Sequence, residues 1–517
     1  MVMIKMRRLD HNKYWDGGAL LGGILFVLSF APINYHGLVI PGMLLLLLSW
    51  QHASPGRAAF RGFLFGLASF GVGVSWVFVS LYDFGGATIS AALMLTLIFV
   101  GFWSLFPALA GYLAVKCFGN RNALSVLTGY SLIWILVEYV RGEWVFNGFP
   151  WLQIAYSQMD TIFAGYVPLM GVYGCGILIV FCAILLQRLF YGELTAQEKL
   201  YVLLLISCIV LAGAKLKSIE WTKPLGGSLS IAMIQGNIAQ ENKWRPDNRN
   251  NILQQYKTMT AQNWAADVII WPETAIPAFY DQVKESFLIP LERQAKNNKS
   301  DLIISLPVRN KQKNEYYNAV MTFGKYRGEY HKIHLLPFGE YLPLQPLTDF
   351  LQKSLKIMPI GSFTSGVNDQ ALLQAGGYPF SISICYEDVF GDAGLRRLSE
   401  AAYLVNVTND GWFGASMEPY QHMQIARMRA LETGRYLLRA TNTGVTAIVS
   451  PQGKIVKNIA MFKTAVLTAR ITPMGGMTPY ARMGNRPIIL LLVVGIIFCS
   501  IDAKQSYVKK SFSGMLN

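Results

Sequence analysis

Charge is what this sequence has least of. Only 15% of its 517 residues are Asp, Glu, Lys or Arg, where an ordinary soluble domain carries about 25%. With 53% hydrophobic residues and a mean hydropathy of +0.34, that shortage excludes a plain soluble protein of this length and directs the search to membrane spans. Acidic side chains are the scarcer sign, 30 against 45 basic ones, a net charge of +15. A nucleic-acid partner would need those cations gathered on a soluble face. Many of them flank apolar runs instead, which fits anionic headgroups and membrane orientation, so no nucleic acid is expected.

Cysteine is also sparse. Cys117, Cys175, Cys182, Cys208 and Cys499 fall in or beside apolar runs, where packing accounts for them. Cys385 is the one cysteine between residues 215 and 486. In a compartment that favours disulfides, a lone thiol is either buried and inert or kept for chemistry. The six histidines include His331 and His334, but no further Cys or His ligand lies near them, so neither a metal nor another cofactor is expected. Internal repeats and low-complexity tracts are missing too.

What the chain has in abundance is long apolar runs. They are Gly17 to Ile33, Gly37 to Trp50, Gly62 to Leu81, Ala87 to Val115, Ala123 to Val140, Ile162 to Leu189, Leu200 to Ala214 and Ile488 to Ile501. A span needs roughly 17–25 such residues, which predicts about eight helices, the second and the last two being short. Lys5, Arg7 and Arg8 precede the first run and give it the outline of a signal peptide, but further runs follow directly, so it reads as a retained anchor. Cytoplasmic loops concentrate Lys and Arg. Placing the N-terminus inside puts Lys5, Arg7, Arg8, Lys13, Arg57, Arg61, Lys116, Arg121, Arg188, Lys199, Lys504, Lys509 and Lys510 on the cytoplasmic side, and leaves Arg141 as the cation of a short outer loop. Glu138 shares a helix face with Arg141 and reads as structural neutralisation at the interface.

The expected organisation is residues 1–214 as about seven transmembrane helices, 215–486 as an outer domain, and 487–517 as a last helix with a short cytoplasmic tail. In a host with two membranes the outer domain faces the periplasm. Its texture is α/β: Leu229 to Gln235, Val268 to Trp271, Leu302 to Pro307, Ala319 to Phe323, Phe380 to Cys385, Tyr403 to Thr408, Leu437 to Thr441, Thr446 to Val449 and Ala465 to Ile471 read as strands. Helical periodicity marks Ile252 to Trp264, Val283 to Asn298 and Pro419 to Thr433, and the alternation argues a layered architecture.

Three strand ends carry candidate chemistry. Cys385 ends the alternating run Phe380, Ile382, Ile384, ahead of Tyr386, Glu387, Asp388 and a helix predicted from about Gly391. A helix N-terminus would lower the thiol pKa, whereas Glu387 and Asp388 oppose a thiolate, so a cationic partner is needed. Trp271-Pro272-Glu273-Thr274 sets a carboxylate just beyond Val268 to Ile270, although spacing alone also suits a solvated loop acid or a helix cap. Tyr330-His331-Lys332-Ile333-His334-Leu335-Leu336-Pro337-Phe338-Gly339-Glu340 mixes charge with apolar residues as a plain surface strand seldom does.

Together these segments resemble the nitrilase superfamily, whose members carry Glu, Lys and Cys in that chain order at strand ends of an α-β-β-α sandwich. The resemblance covers about Leu229 to Ile471. Gln235-Gly236-Asn237-Ile238 with Trp244, the Pro-Phe-Gly-Glu-Tyr ending after Lys332, and Asn409-Asp410-Gly411-Trp412-Phe413-Gly414 are similar to one membrane-embedded branch, the apolipoprotein N-acyltransferases, as is Asn147-Gly148-Phe149-Pro150-Trp151 in the apolar half. The catalytic positions show no departure from the family pattern.

The resemblance implies a multi-span α-helical membrane domain joined to an α/β nitrilase-type sandwich in the cell inner membrane. Cys385 would attack a phospholipid ester, typically of phosphatidylethanolamine, with Glu273 as general base and Lys332 stabilising the oxyanion. The α-amino group of a diacylglyceryl-modified N-terminal cysteine on an apolipoprotein would then take the acyl chain from the thioester. Glu340 and Glu387 are supporting candidates, or else structural ion pairs. Tyr386 is a candidate wall of the acyl pocket or a core aromatic, and Trp244 and Trp412 are candidate lipid-contacting residues or simple packing. Asn409-Asp410-Gly411 reads first as a turn. Rival readings are a membrane-tethered amidase, disfavoured by so many spans, and a transporter or receptor with a dead sensor domain, disfavoured by the intact Glu273, Lys332 and Cys385.

Overall fold

The computed structural model describes residues 2–119, 121–343 and 363–497. Cys499, Lys504, Lys509, Lys510 and the end of the last apolar run lie outside the described residues. The chain forms two compact units, one from the described parts of residues 1–75, 94–219 and 483–517, the other from 76–93 and 220–482.

The first unit is helical. Four helices are long and apolar enough to cross a membrane: Ile89–Phe118, Ala123–Glu143, Ile162–Tyr191 and Ala196–Lys217. A fifth is reached if the bent pair Pro55–Gly73 and Trp76–Phe84 counts as one span. The expected count of about eight is not reached among the described residues, for local reasons. The helix Val2–Leu28 holds Lys13 and Asp16 within it, and its apolar part stops at Leu28, ahead of Pro32, because a residue before proline is pushed out of the helical region. The runs at Val39–Trp50 and Arg486–Ile497 form only short apolar helices.

Charge in this unit is neutralised in place. Asp16 accepts from Arg61 Nε at 3.1 Å and also pairs with Arg57. Glu138 Oε1 accepts from the Ile154 amide at 3.0 Å and the Trp134 indole at 3.3 Å, while Arg141 Nη1 donates to the carbonyls of Phe149 at 2.8 Å and Trp151 at 2.6 Å. The two side chains therefore hold the segment that carries Asn147-Gly148-Phe149-Pro150-Trp151, a use beyond the mutual neutralisation expected from their spacing on one helix face. Gly62 is required where it stands, since a Cβ there would come within 2.2 Å of the Pro107 carbonyl oxygen.

The second unit contains two six-stranded sheets. The strands are β1 (Leu229–Gln235), β2 (Val268–Ile270), β3 (Asp301–Asn310), β4 (Glu315–Phe323), β5 (Gly328–His331), β6 (Leu373–Ala375), β7 (Tyr378–Ile384), β8 (Tyr403–Thr408), β9 (Leu437–Thr441), β10 (Thr446–Val449), β11 (Ile455–Ile459) and β12 (Ala465–Ile471). One sheet runs β12-β1-β2-β3-β4-β5 and the other β11-β10-β9-β8-β7-β6. In each, three central strands are parallel: β1, β2 and β3 in the first, β7, β8 and β9 in the second.

Side-chain alternation explains the layering. Leu229, Ile231 and Met233 of β1 point into one core together with Phe380 and Ile384 of β7 and Val405 and Val407 of β8, so the two sheets pack face to face. Ala232 and Ile234 point the other way, against Ile252 and Tyr256 of the helix Arg249–Ala261. On the far side Leu404, Leu437 and Ala447 pack against Met423, Ala426 and Ala430 of the helix Glu418–Thr433. The result is the expected α-β-β-α sandwich. The segment Trp76–Leu93, whose two ends the hydropathy pattern assigns to the runs Gly62 to Leu81 and Ala87 to Val115, belongs to this compact unit. Trp76 Nε1 donates to Gln421 Oε1 at 3.1 Å and its ring meets Phe413 edge-on at 5.0 Å.

Candidate active site

Parallel strands open their C-terminal ends on one side of a sheet, and functional side chains gather at such ends. Glu273 lies three residues past β2. The following residue, Thr274, takes a positive φ of 47° and donates its amide to Ser305 Oγ at 2.9 Å, which fixes the turn. Lys332 follows β5 directly, and its amide donates to the Asn318 carbonyl at 2.8 Å, extending the β4–β5 pairing by one step. Cys385 follows β7 and opens the 3-10 turn Cys385–Val389 with φ at +50°. A non-glycine residue held there stores about 1–3 kcal/mol, a strain found where a side chain must be aimed.

The helix expected from about Gly391 is absent; a 3-10 turn, Asp392–Leu395, stands there, between Gly391 and Arg396. So short an element supplies little dipole, and it is the charged side chains around Cys385 that must act on the thiol. Burial pushes that thiol up to about 12, Glu273 pushes the same way, and Lys332 and His422 oppose them. At neutral pH the thiol therefore keeps its proton until a base removes it.

Lys332 is almost fully buried, with Nζ at 2.8 Å from Glu340 Oε2 and 3.9 Å from Glu273 Oε1. Burial works to lower its pKa, but Glu340, Glu273 and Cys385 together outweigh burial and hold the ammonium well above the ordinary lysine range. It is a fixed positive charge. Asn318 on β4 joins the two carboxylates: its Nδ2 donates to Glu273 Oε1 at 2.8 Å and Glu340 Oε1 at 3.0 Å. Leu336 donates its amide to Glu340 Oε2 at 2.8 Å.

Glu387 is buried and acts through its hydrogen bonds. Its Oε1 accepts from Tyr330 Oη at 2.9 Å and from the amides of Ile333 at 2.7 Å and His334 at 3.1 Å, and its Oε2 accepts from the Ile384 amide at 2.8 Å. One carboxylate thus ties the residue after Lys332 to the residue before Cys385. Burial raises its pKa, against Lys332 and these amide donors. Replacing Glu387 by Ala leaves three buried donors and one part-buried donor without their acceptor. At roughly 1.5–3 kcal/mol for a hydrogen bond to a charged group, a clear fall in Tm and at least about a tenfold loss of turnover are expected from thermal scans and rate assays of the purified variant. An unchanged Tm would contradict the tie.

The remaining candidates are more peripheral. Tyr386 is buried with its ring edge-on to Phe390 at 5.4 Å. Trp244 and Trp412 are 49% and 40% exposed, and Trp412 meets Phe84 edge-on at 6.4 Å. His331 stacks on Tyr317 at 4.1 Å and His334 on Phe390 at 4.4 Å, the latter pushed down to about 4 by burial, with Arg396 and Lys332 adding to the shift.

Besides Asn318, sequence reasoning missed two features. Lys243 is buried, and its Nζ donates to the Glu273 main-chain carbonyl at 3.2 Å. Behind Cys385, His422 Nε2 lies 2.7 Å from Asp388 Oδ1 and its Nδ1 3.1 Å from Asp410 Oδ1, while Arg439 reaches Asp388 at 3.0 Å, Asp410 at 3.3 Å and Asn406 at 2.6 Å. Burial and Arg439 work against a charged His422, yet Asp388 and Asp410 hold it protonated well above the usual range. Asp410, Glu418 and His422 are close enough to share a cation, but Arg439 and the imidazolium already supply two positive charges to the cluster. The turn signal at Asn409-Asp410-Gly411 is thus also a charge cluster: Asp410 opens the 3-10 turn Asp410–Phe413 and is buried.

Comparison with known proteins places the chain in a family. The family described as apolipoprotein N-acyltransferase N-terminal domain matches residues 22–185, and carbon-nitrogen hydrolase matches residues 230–479. A relative from Methylococcus capsulatus named apolipoprotein N-acyltransferase is 48% identical over 93% of this chain and 95% of its own length. Relatives with the same name from Nitrosomonas europaea and Vibrio cholerae are each 38% identical over 93% of this chain and 96% of theirs. With both halves matched, and relatives well above 30% identity aligned along nearly their full length, this chain belongs to the apolipoprotein N-acyltransferase family.

Proposed function

We propose that this membrane protein transfers a fatty acyl chain from a phospholipid, phosphatidylethanolamine being the expected donor, to the α-amino group of a diacylglyceryl-cysteine on an apolipoprotein, by a ping-pong reaction on Cys385. The observation that carries this is a buried lysine set between two carboxylates, beside a strained strand-end cysteine whose thiol it and Glu273 both influence. Glu273 takes the thiol proton as Sγ attacks the ester carbonyl. Lys332 Nζ stabilises the tetrahedral oxyanion. Collapse breaks the ester C–O bond, Glu273 returns its proton to the leaving glycerol oxygen, and a lysophospholipid departs from the thioester. The acceptor amine then attacks, Glu273 takes a proton from it, the C–S bond breaks, and Glu273 passes that proton to the departing thiolate, which restores both the Cys385 thiol and the carboxylate.

The positive residues flanking the apolar runs favour an inner-membrane location with the sheet unit on the periplasmic side and both termini in the cytoplasm. A pulse-chase experiment separates transfer from hydrolysis. Protein is loaded with labelled phospholipid, freed of donor, and chased with buffer or with a diacylglyceryl-lipopeptide. The acyl label is expected to leave the enzyme at least about tenfold faster with the lipopeptide and to appear on its amine. Equal decay in both chases would favour a membrane-tethered amidase.

A further inference from the structure

Lys243 closes the short helix Gln240–Lys243, which is pinned where Asn409 Nδ2 donates to Gln240 Oε1 at 2.8 Å. It is 2% exposed, although the next residue, Trp244, is half exposed. Lysine is seldom buried without a paired charge, and burying an ammonium is costly unless something nearby uses it. Among the described residues its hydrogen-bond partner is the Glu273 main-chain carbonyl, with no carboxylate at ion-pair distance. The charged and titratable groups that act on it are Glu273, from the turn after β2, and Cys385, from the end of β7.

Counting charge at the site shows what this lysine supplies. Glu273 and Glu340 contribute two negative charges and Lys332 one positive charge. Over these three side chains and Cys385 the sum is −1 before any thiolate forms, and it stays there as the proton moves from Cys385 to Glu273. A charged Lys243 brings that sum to zero, before and after the transfer. Lys332 is already engaged by Glu340 at 2.8 Å, so a second positive charge is free to favour the sulfur anion.

We propose that Lys243 is the second cation of this active site, a positioning residue that anchors the Glu273 turn through its carbonyl and stabilises the Cys385 thiolate as it forms. This rests on the Cys385 reaction proposed above. Burial lowers the Lys243 ammonium to about 8, against Glu273 and Cys385. The charge is therefore present below pH 8 and lost above it, whereas Lys332 stays charged throughout.

The test is iodoacetamide alkylation of the full-length protein from pH 6 to 10, read by mass spectrometry on the peptide containing Cys385, for wild type, Lys243→Met and Lys243→Arg. A shift of one pKa unit in the thiol is a tenfold change in thiolate fraction. Lys243→Met is expected to slow alkylation about tenfold at pH 7, and Lys243→Arg to stay within about threefold of wild type. Above pH 8 the wild-type rate should climb less steeply than that of Lys243→Arg, whose charge does not titrate there. Wild-type alkylation in Lys243→Met, or an equal loss in Lys243→Arg, would overturn the inference. If Lys243→Met does not fold, the wild-type and Lys243→Arg pH slopes still decide, and parallel slopes refute it. Failure of the underlying reaction would look different: wild-type protein incubated with phospholipid would carry no acyl group on Cys385, whatever the Lys243 variants do.

Discussion

Replacing Cys385 with serine is expected to lower acyl transfer to a diacylglyceryl-lipopeptide by roughly 10⁴–10⁶-fold, the scale of nucleophile removal in hydrolases that work through an acyl-enzyme, while leaving Tm within a few degrees of wild type. Two reasons point to so large a loss. The site already pushes a thiol up to about 12, and a hydroxyl, intrinsically much less acidic, gains far less from the same base. An acyl-serine would also be an ordinary ester, no more reactive toward the acceptor amine than the phospholipid it came from, whereas a thioester is. The backbone should tolerate the change, because serine meets the same positive φ of 50° as cysteine. Transfer rates and thermal scans of the two purified proteins check it, and a loss of less than about tenfold would remove Cys385 from the centre of the reaction.

Glu273→Gln is expected to slow both half-reactions, by about 10²–10⁴-fold as is usual for a general base. Two effects oppose each other, and their sizes decide the outcome. Removing the Glu273 charge removes one cause that raises the Cys385 thiol, yet burial, the larger cause, remains. The thiol therefore still holds its proton at neutral pH, now with no carboxylate to take it. The sign of the pH dependence follows: in the variant the acylation rate should keep rising as pH climbs above neutral, because hydroxide replaces the missing base and burial still holds the thiol above its ordinary range. Single-turnover measurements of adduct formation and of acceptor-dependent release test each half separately. A variant slowed in only one half would mean that Glu273 serves only that half.

Much of this molecule was legible from its residues because burial imposes regular patterns. The central parallel strands are buried on both faces, and runs such as Leu229–Gln235 and Tyr403–Thr408 are observed at the bounds their composition suggested. The strands that escaped notice, Gly328–His331, Leu373–Ala375 and Ile455–Ile459, are all sheet edges. Edge strands are short and one-sided, and they carry weaker signals; Ile455–Ile459 is exposed along almost its whole length. In the helical unit the pattern marked apolar runs but not where helices stop, which depends on Pro32 and on charges such as Asp16 that find partners only in the fold.

The site divides the same way. Glu273, Lys332 and Cys385 stood out because each follows a readable hydrophobic run or a charged motif. Lys243 and Asn318 did not, since a lysine in Gln-Glu-Asn-Lys looks solvated, and only the fold brings it to the Glu273 carbonyl. Asn318 gains its meaning from bonding to two carboxylates, 45 and 22 residues distant in sequence. Glu387 could not be assigned in advance either, because three of its four hydrogen bonds come from a distant segment, Tyr330 to His334, and the fourth from the Ile384 amide.

The most direct test of the whole mechanism is to incubate the purified full-length protein with phosphatidylethanolamine of one known chain length, digest it, and weigh the peptide that carries residue 385. That peptide should be heavier by the mass of the acyl group, lose it to neutral hydroxylamine, and never gain it in Cys385→Ala. An acyl group found on another residue, or none at all while transfer proceeds, would contradict a sulfur-borne intermediate.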